Sequence, residues 1–167
     1  MNYGILASGS CLLTDIVDQL HEPSRKLNIV DRLSRDLSKG IPKDALKAYL
    51  TQVEKCCPDR PVIHIDDSDV VKPDGYKFEA LGWVRDGSES NAAKNVFKKG
   101  YHVTEAAVLT TGSHPVSIFS EIHSSKGKGF TSINDVAFSA MERAAALFKK
   151  AAFVMDRGYD VMITRCF

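Results

Sequence analysis

One stretch constrains the fold of this chain more than any other. Val136, Phe138, Ala140, Met141, Ala144, Leu147 and Phe148 recur at helical spacing, and a short apolar run stands on either side of them. The upstream run is Pro61-Val62-Ile63-His64-Ile65, bounded by Pro58 and an acidic cluster. The downstream run is Ala151-Ala152-Phe153-Val154-Met155, ended by Asp156. Runs of this length between turn signals read as buried strands. A helix joining two strands of one sheet favours a parallel pair, because the connection must cross one face of the sheet. Between the first strand and the helix, Tyr101 to Thr111 is rich in β-formers, Thr111-Gly112-Ser113-His114 is a turn, and Val116 to Ile122 is a partner strand. Residues 101–122 therefore read as a β-hairpin. Phe78 to Val84 reads as a strand or an ordered loop, and Ser124 to Gly129 as a flexible basic loop.

Residues 1–57 have a different period. Leu12, Leu13, Ile16, Val17 and Leu20 mark one helix, with Ser8 or Ser10 as its expected N-cap. Leu27, Val30, Leu33 and Leu37 mark a second, closed by Lys39-Gly40. Pro42 suits the first turn of a third, carrying Ala45, Leu46, Tyr49, Leu50 and Val53. The fold class is thus α/β, a helical region at 1–57 followed by a sheet region at 58–167.

Composition narrows the function classes. With 44% hydrophobic and 26% charged residues over 167 positions, the chain is neither disordered, collagen-like nor a coiled coil. Twenty-two Lys and Arg against 21 Asp and Glu leave a formal charge of +1. No bulk field draws it to nucleic acid or to an anionic membrane, so any grip on DNA has to come from a local patch. No apolar run approaches the roughly 18 residues of a membrane span, and the start lacks a basic region, so no signal peptide is expected. Cys11, Cys56, Cys57 and Cys166 show no zinc spacing. Reduced thiols in a cytoplasm are the expectation.

Both apolar runs end in carboxylates: Asp66, Asp67 and Asp69 after the first, Asp156 and Asp160 after the second. Such residues commonly cap helices or shape turns. In open α/β sheets, however, ligand-binding groups gather at the carboxyl ends of strands. Two carboxylates from adjacent strands can meet on one divalent ion, and oxygen ligands suit Mg²⁺ or Mn²⁺. Paired ions of this kind activate water and stabilise a leaving 3′ oxygen in phosphodiester cleavage.

These residues resemble a known family. Ile-Asp-Asp-Ser-Asp-Val-Val-Lys-Pro at 65–73 is similar to the first-aspartate motif of bacterial DDE insertion-sequence transposases, cut-and-paste enzymes with an RNase H-like core. Phe-Val-Met-Asp-Arg-Gly-Tyr-Asp at 153–160 is similar to their second-aspartate motif, on the fourth core strand. Asn-Ile-Val-Asp-Arg-Leu at 28–33 is similar to part of their N-terminal helical region. The resemblance implies a truncated RNase H-like mixed sheet at 58–167. The hairpin would supply core strands two and three, and 132–149 the first core helix. Asp156 matches the second catalytic and metal-binding aspartate. The first is Asp66, which directly ends the apolar run, with Asp67 as the alternative, since one residue of register flips the side chain to the other face. Asp69 reads as a loop-forming residue or a contact behind the ligands. Arg157, Lys126 and Lys128 are the candidate DNA contacts. The implied cofactor is Mg²⁺ or Mn²⁺, and the implied partners are transposon-end and target DNA, with a homodimer in the intact enzyme and no membrane.

The chain departs from the family in one respect. The third carboxylate is a glutamate in a Tyr-x-x-Arg-x-x-x-Glu helix after a fifth strand. Glu121 and Glu142 both precede Asp156 and fit neither place. The last strand and the Glu-bearing helix are missing from this reading, so a transposase fragment, inactive alone, is the leading expectation. One alternative is a non-catalytic remnant or regulatory binding protein that pairs or competes with intact transposase. Another is a small RNase H-like nuclease using a further carboxylate such as Glu105. His64 reads as a core or sheet-face histidine, and Trp83, in Leu-Gly-Trp-Val, as core. His102, His114 and His123 suggest no ligand set. Lys94, Lys98 and Lys99 read as a solvated face. No glycine-rich phosphate loop is present.

Overall fold

The computed structural model describes residues 2–156. Among them are five helices and a mixed five-stranded sheet. The chain divides into two compact units, Met1–Tyr49 and Leu50–Phe167.

The first unit contains α1 (Asn2–Ser8), α2 (Leu13–Leu20), α3 (Lys26–Ser38) and the start of α4 (Lys43–Lys55). Ile16 and Val17 of α2 and Ile29 and Leu33 of α3 are buried together, flanked by Ile5, Leu13, Leu20 and Val30. α1 comes so close to α2 that a Cβ on Gly4 would lie 2.6 Å from Ile16 Cγ2. Neither Ser8 nor Ser10 caps α2. Leu12 holds the N-cap position with no side-chain bond, and the Ser10 hydroxyl accepts the Leu12 N–H one step earlier. The expected stripes locate the helices but overstate what they bury: Leu27 is 76% exposed, and Leu37, Leu46 and Tyr49 are also exposed. Periodicity records which residues share a face and leaves open whether anything covers it.

The second unit contains β1 (Val62–Val71), β2 (Gly82–Arg85), β3 (Phe97–Leu109), β4 (Pro115–His123), α5 (Ile133–Leu147) and β5 (Ala152–Met155). β3 runs antiparallel to β1 along one side. Its other side is shared end to end by β2 and β4, both antiparallel. β5 lies parallel to β1 on the far side. The parallel pair demanded by the helix between two apolar runs is therefore present.

α5 covers one face of this sheet. The Ser132 hydroxyl caps it, accepting the Asp135 N–H at 3.1 Å. Ala137, Ala140 and Ala144, one turn apart, are fully buried against Ile63, Ile65, Ala106, Val108 and Phe119. Small side chains let the helix axis come close to the sheet, while Val136, Phe138, Met141 and Leu147 fill the flanks. Val53 of α4 and Phe148 complete this core. The Arg143 guanidinium lies 5.1 Å from the Phe119 ring centre, a cation–π contact at the rim.

Two expectations are corrected here. β1 does not stop at Ile65 but continues to Val71, because β3 lies in antiparallel register with every residue from Ile63 to Val71. Trp83 is not core: it is 59% exposed, while its neighbour Val84 is buried. Asp86-Gly87 does make the turn after β2, and the Asp86 carboxylate accepts from the Ser88 hydroxyl and N–H and from the Glu89 N–H.

Gly100 is where β1, β2 and β3 crowd together. A Cβ there would lie 2.3 Å from the Val70 carbonyl oxygen and 2.6 Å from Val84 Cγ2. Gly100→Ala should destabilise the protein by about 1–3 kcal/mol, the usual cost of overpacking. Gly87→Ala, where a Cβ meets nothing, should cost little. Urea unfolding followed by far-ultraviolet circular dichroism compares the two, and equal effects would contradict this account of Gly100.

Candidate functional site

Side chains alternate along β1, so the acidic cluster is divided between two faces. Ile63, Ile65 and Asp67 point with the α5-covered core, and His64 and Asp66 point away from it, both exposed. Asp66 and Asp67 thus belong to different sites.

On the uncovered face, the parallel register pairs His64 with Val154 and Ile65 with Met155. The next residues in each strand direction are Asp66 and Asp156. Both line one open groove, with His64 and Val154 as its other outward walls. On the opposite flank, Asp66 is directly in register with Glu105 of β3. Like charges directly opposite across an antiparallel pair are destabilising. The Asp66 carboxylate accepts the Asp67 N–H at 3.0 Å, which orients it but adds no cation. Strands lie about 4.8 Å apart, so a row spanning β5, β1 and β3 is about 10 Å wide. That width suits two carboxylates per ion rather than three. Among the described residues, no three His, Cys, Asp or Glu side chains converge on a common metal position.

On the α5 face, Asp67 accepts a hydrogen bond from the Thr104 hydroxyl. Thr104 is fully buried and lies 2.8 Å from His123 Nε2. A threonine hydroxyl has a single proton, and here Asp67 receives it. His123 Nε2 must therefore carry the proton of the second bond, which fixes the tautomer. Its Nδ1 is buried and has no hydrogen-bond partner among the described residues. His123 stacks between His102 and Phe130, each ring centre 5.6 Å away. Burial first, then the nearby His102, push its pKa below the ordinary value of 6.5. His102 in turn lies 2.6 Å from Asp69 through Nδ1, and the other Asp69 oxygen accepts the Arg85 N–H. Asp69 is therefore not a loop residue; it ties β1 to β2 and β3. His102 and His123 look unrelated in the sequence, because their pairing depends on a register between β3 and β4 that nothing local to either residue encodes.

The basic candidates separate. Lys128 lines a cavity of about 380 Å³ with His123, Ser124, Thr131 and Asp135. Lys126 lines a different groove, shared with Lys99. Neither lines the groove of Asp66 and Asp156. Arg157 lies outside the described residues. Lys98 is not a solvated cation: it is held by Asp86 at 2.9 Å and by Glu89. Hydrogen bonds from Ser88, and then from Lys98, bring the Asp86 pKa down to about 2. Cys11, Cys56 and Cys57 are free thiols, and none of the described helices is long and apolar enough to cross a membrane.

Comparison with protein families, with curated proteins and with solved structures gave no match.

The state of His123 is testable. A base whose pKa is lower folded than unfolded is protonated more readily when unfolded. Its contribution is complete above 6.5 and is lost as pH falls through the folded value. Unfolding free energy should therefore decline as pH falls below about 6.5, and His123→Gln should flatten part of that decline. Urea titrations across the range read this directly; an unchanged slope in the variant would show that His123 does not titrate as described.

Proposed function

We propose that this chain carries an RNase H-like core of the DDE transposase type, in which Asp66 and Asp156 hold a divalent cation for DNA phosphodiester cleavage and joining. The observation that carries this reading is the neighbouring register of Asp66 and Asp156 on parallel strands, lining one groove. The strand order adds support. β1, β3, β4 and β5 run in the sheet as β4-β3-β1-β5, antiparallel twice and then parallel, with α5 as the crossover. On this reading they are core strands one to four, and α5 is the first core helix.

The donor set fits the implied ion. Two carboxylates with open surroundings suit Mg²⁺ or Mn²⁺, which keep several waters and take few protein ligands. A bound ion would act as a Lewis acid toward the phosphodiester and its attacking water. Asp66 is oriented for this by the backbone N–H of Asp67. Its repulsion with Glu105 is the charge imbalance that a cation relieves. Asp67, turned to the other face, would support β1 through Thr104 rather than bind the ion. DNA at transposon ends and target sites is the proposed substrate, with Lys126 and Lys128 as contacts along its path. A cytoplasmic location and a dimeric intact enzyme belong to the same proposal.

A second reading is favoured by one observation. Glu105 stands directly beside Asp66 on the same face. It would give a small nuclease a carboxylate pair without any later helix.

Two measurements separate these readings. Calorimetric titration with Mn²⁺ should show binding that falls at least about tenfold in Asp66→Asn and in Asp156→Asn, while Asp67→Asn binds as wild type. Loss confined to Asp67→Asn would move the site to the α5 face and overturn the assignment of Asp66. The transposase reading expects no Mg²⁺-dependent nicking of supercoiled plasmid by the purified chain, since no described residue fills the place of the third carboxylate. Robust nicking, abolished in Glu105→Gln, would favour the nuclease.

A further inference from the structure

β2 and the first residues of β3 form a short two-stranded ribbon whose faces differ sharply. Gly82, Val84 and Gly100 are buried on the inner face, where Lys98 also stands. Lys98 is neutralised there by Asp86 and Glu89. The outer face presents Trp83, Arg85, Phe97 and Lys99, all exposed. The register sets Trp83 opposite Lys99 and Arg85 opposite Phe97. Rings and cations therefore alternate at the four corners of one patch, with Cβ atoms about 5 Å apart across the strands and about 7 Å apart along them.

This patch is unusual in two ways. Trp83 is 59% exposed and Phe97 56% exposed, so two large rings stand in solvent on one diagonal of the patch. Among the described residues, neither Arg85 nor Lys99 has an ion-pair partner. The surface continues: Lys99 also borders a groove of about 300 Å³ that it shares with Tyr76, Phe78 and Lys126. Tyr76 is 88% exposed.

Flat rings interleaved with unneutralised cations match a ligand that offers flat faces and anionic links in alternation. Single-stranded nucleic acid has that chemistry; a duplex hides its base faces inside the stack. A second copy of this chain is a poorer occupant. A two-fold contact through the patch would gather four unneutralised cations, Arg85 and Lys99 from each copy, in one interface with no carboxylate of the patch to offset them. We propose that the outer face of the β2–β3 ribbon binds unpaired single-stranded nucleic acid, Trp83 and Phe97 stacking on bases and Arg85 and Lys99 holding phosphates. This binding goes beyond the metal-site reading and does not depend on it.

Trp83 is the chain's single tryptophan, so its emission reports from the patch itself. The full chain is titrated with an oligothymidine of about 12 nucleotides, within the usual range of site sizes, with EDTA present throughout. Saturable quenching of Trp83, weakened by salt, is expected, with a blunt duplex of the same length binding at least about tenfold more weakly. Phe97→Ala and Lys99→Glu should each weaken binding about tenfold. Lys99→Gln, a milder change, should do so to a lesser degree, and circular dichroism confirms that each variant is folded. Absence of quenching, equal binding of the duplex, or wild-type binding by folded Phe97→Ala and Lys99→Glu would each overturn the proposal. So would an emission shift that follows protein concentration alone, which would assign the patch to self-association. Because EDTA removes divalent ions, oligothymidine binding survives a failure of the Mn²⁺ experiment, and the two readings fail separately.

Discussion

The second unit depends on the length of one strand. β3 has 13 residues and carries the ladders of β1, β2 and β4. An acidic segment such as Asp-Asp-Ser-Asp has little β-propensity of its own, and propensity in strands is mostly a matter of neighbours. β3 supplies those neighbours: each residue from Asp66 to Asp69 has a partner across the ladder. Pairing then imposes strict alternation, and alternation decides the chemistry. One carboxylate is aimed at open solvent beside Asp156, and the next at a buried threonine.

The two faces of β1 are charged for different reasons. On the α5 face, the rows Ile63–Val108 and Ile65–Ala106 are apolar and lie under the alanines of α5. The following rows, Asp67–Thr104 and Asp69–His102, are polar, and their hydrogen bonds are satisfied within the protein. These bonds favour one register, although His123 Nδ1 at the end of the network is buried without a partner among the described residues. A slip of one residue would drive Asp66 and Glu105 into the core. On the open face, Asp66 and Glu105 are left opposed, and only water or a cation can offset them.

The helices from Leu13 onward, the crossover and the hairpin are legible in the sequence, because each rests on local periodicity or on turn residues such as Gly112; α1 is not, since Asn2–Ser8 is too short to show a stripe. The 10-residue length of β1 was not legible. It depends on β3, about 35 residues away, and the acidic composition pointed toward a loop. Trp83 misled for a similar reason. Leu-Gly-Trp-Val looks apolar throughout, yet in a strand only alternate residues face inward, and Val84 took the inner position. The pairing of Asp66 with Asp156 was anticipated from two apolar runs each ending in aspartate. Sequence reasoning prefers Asp66 to Asp67 because it directly ends the apolar run; the structure adds that α5 covers the face of Asp67 and leaves Asp66 on the open one.

Seen at the level of faces, the second unit separates its functions by a single geometric rule. The α5 face serves stability: alanine packing at one end, and the Asp67–Thr104–His123 bonds and Asp69–His102 pair at the other. The opposite face is left for contact with solvent or ligand, and it is uneven along its length. The carboxylates Asp66, Asp156 and Glu105 occupy one region. The outward cations Arg85 and Lys99, with Trp83 and Phe97, lie several residues away along β3. The near-zero net charge of the chain therefore conceals two opposed local charges, whose separation is set by the length of β3.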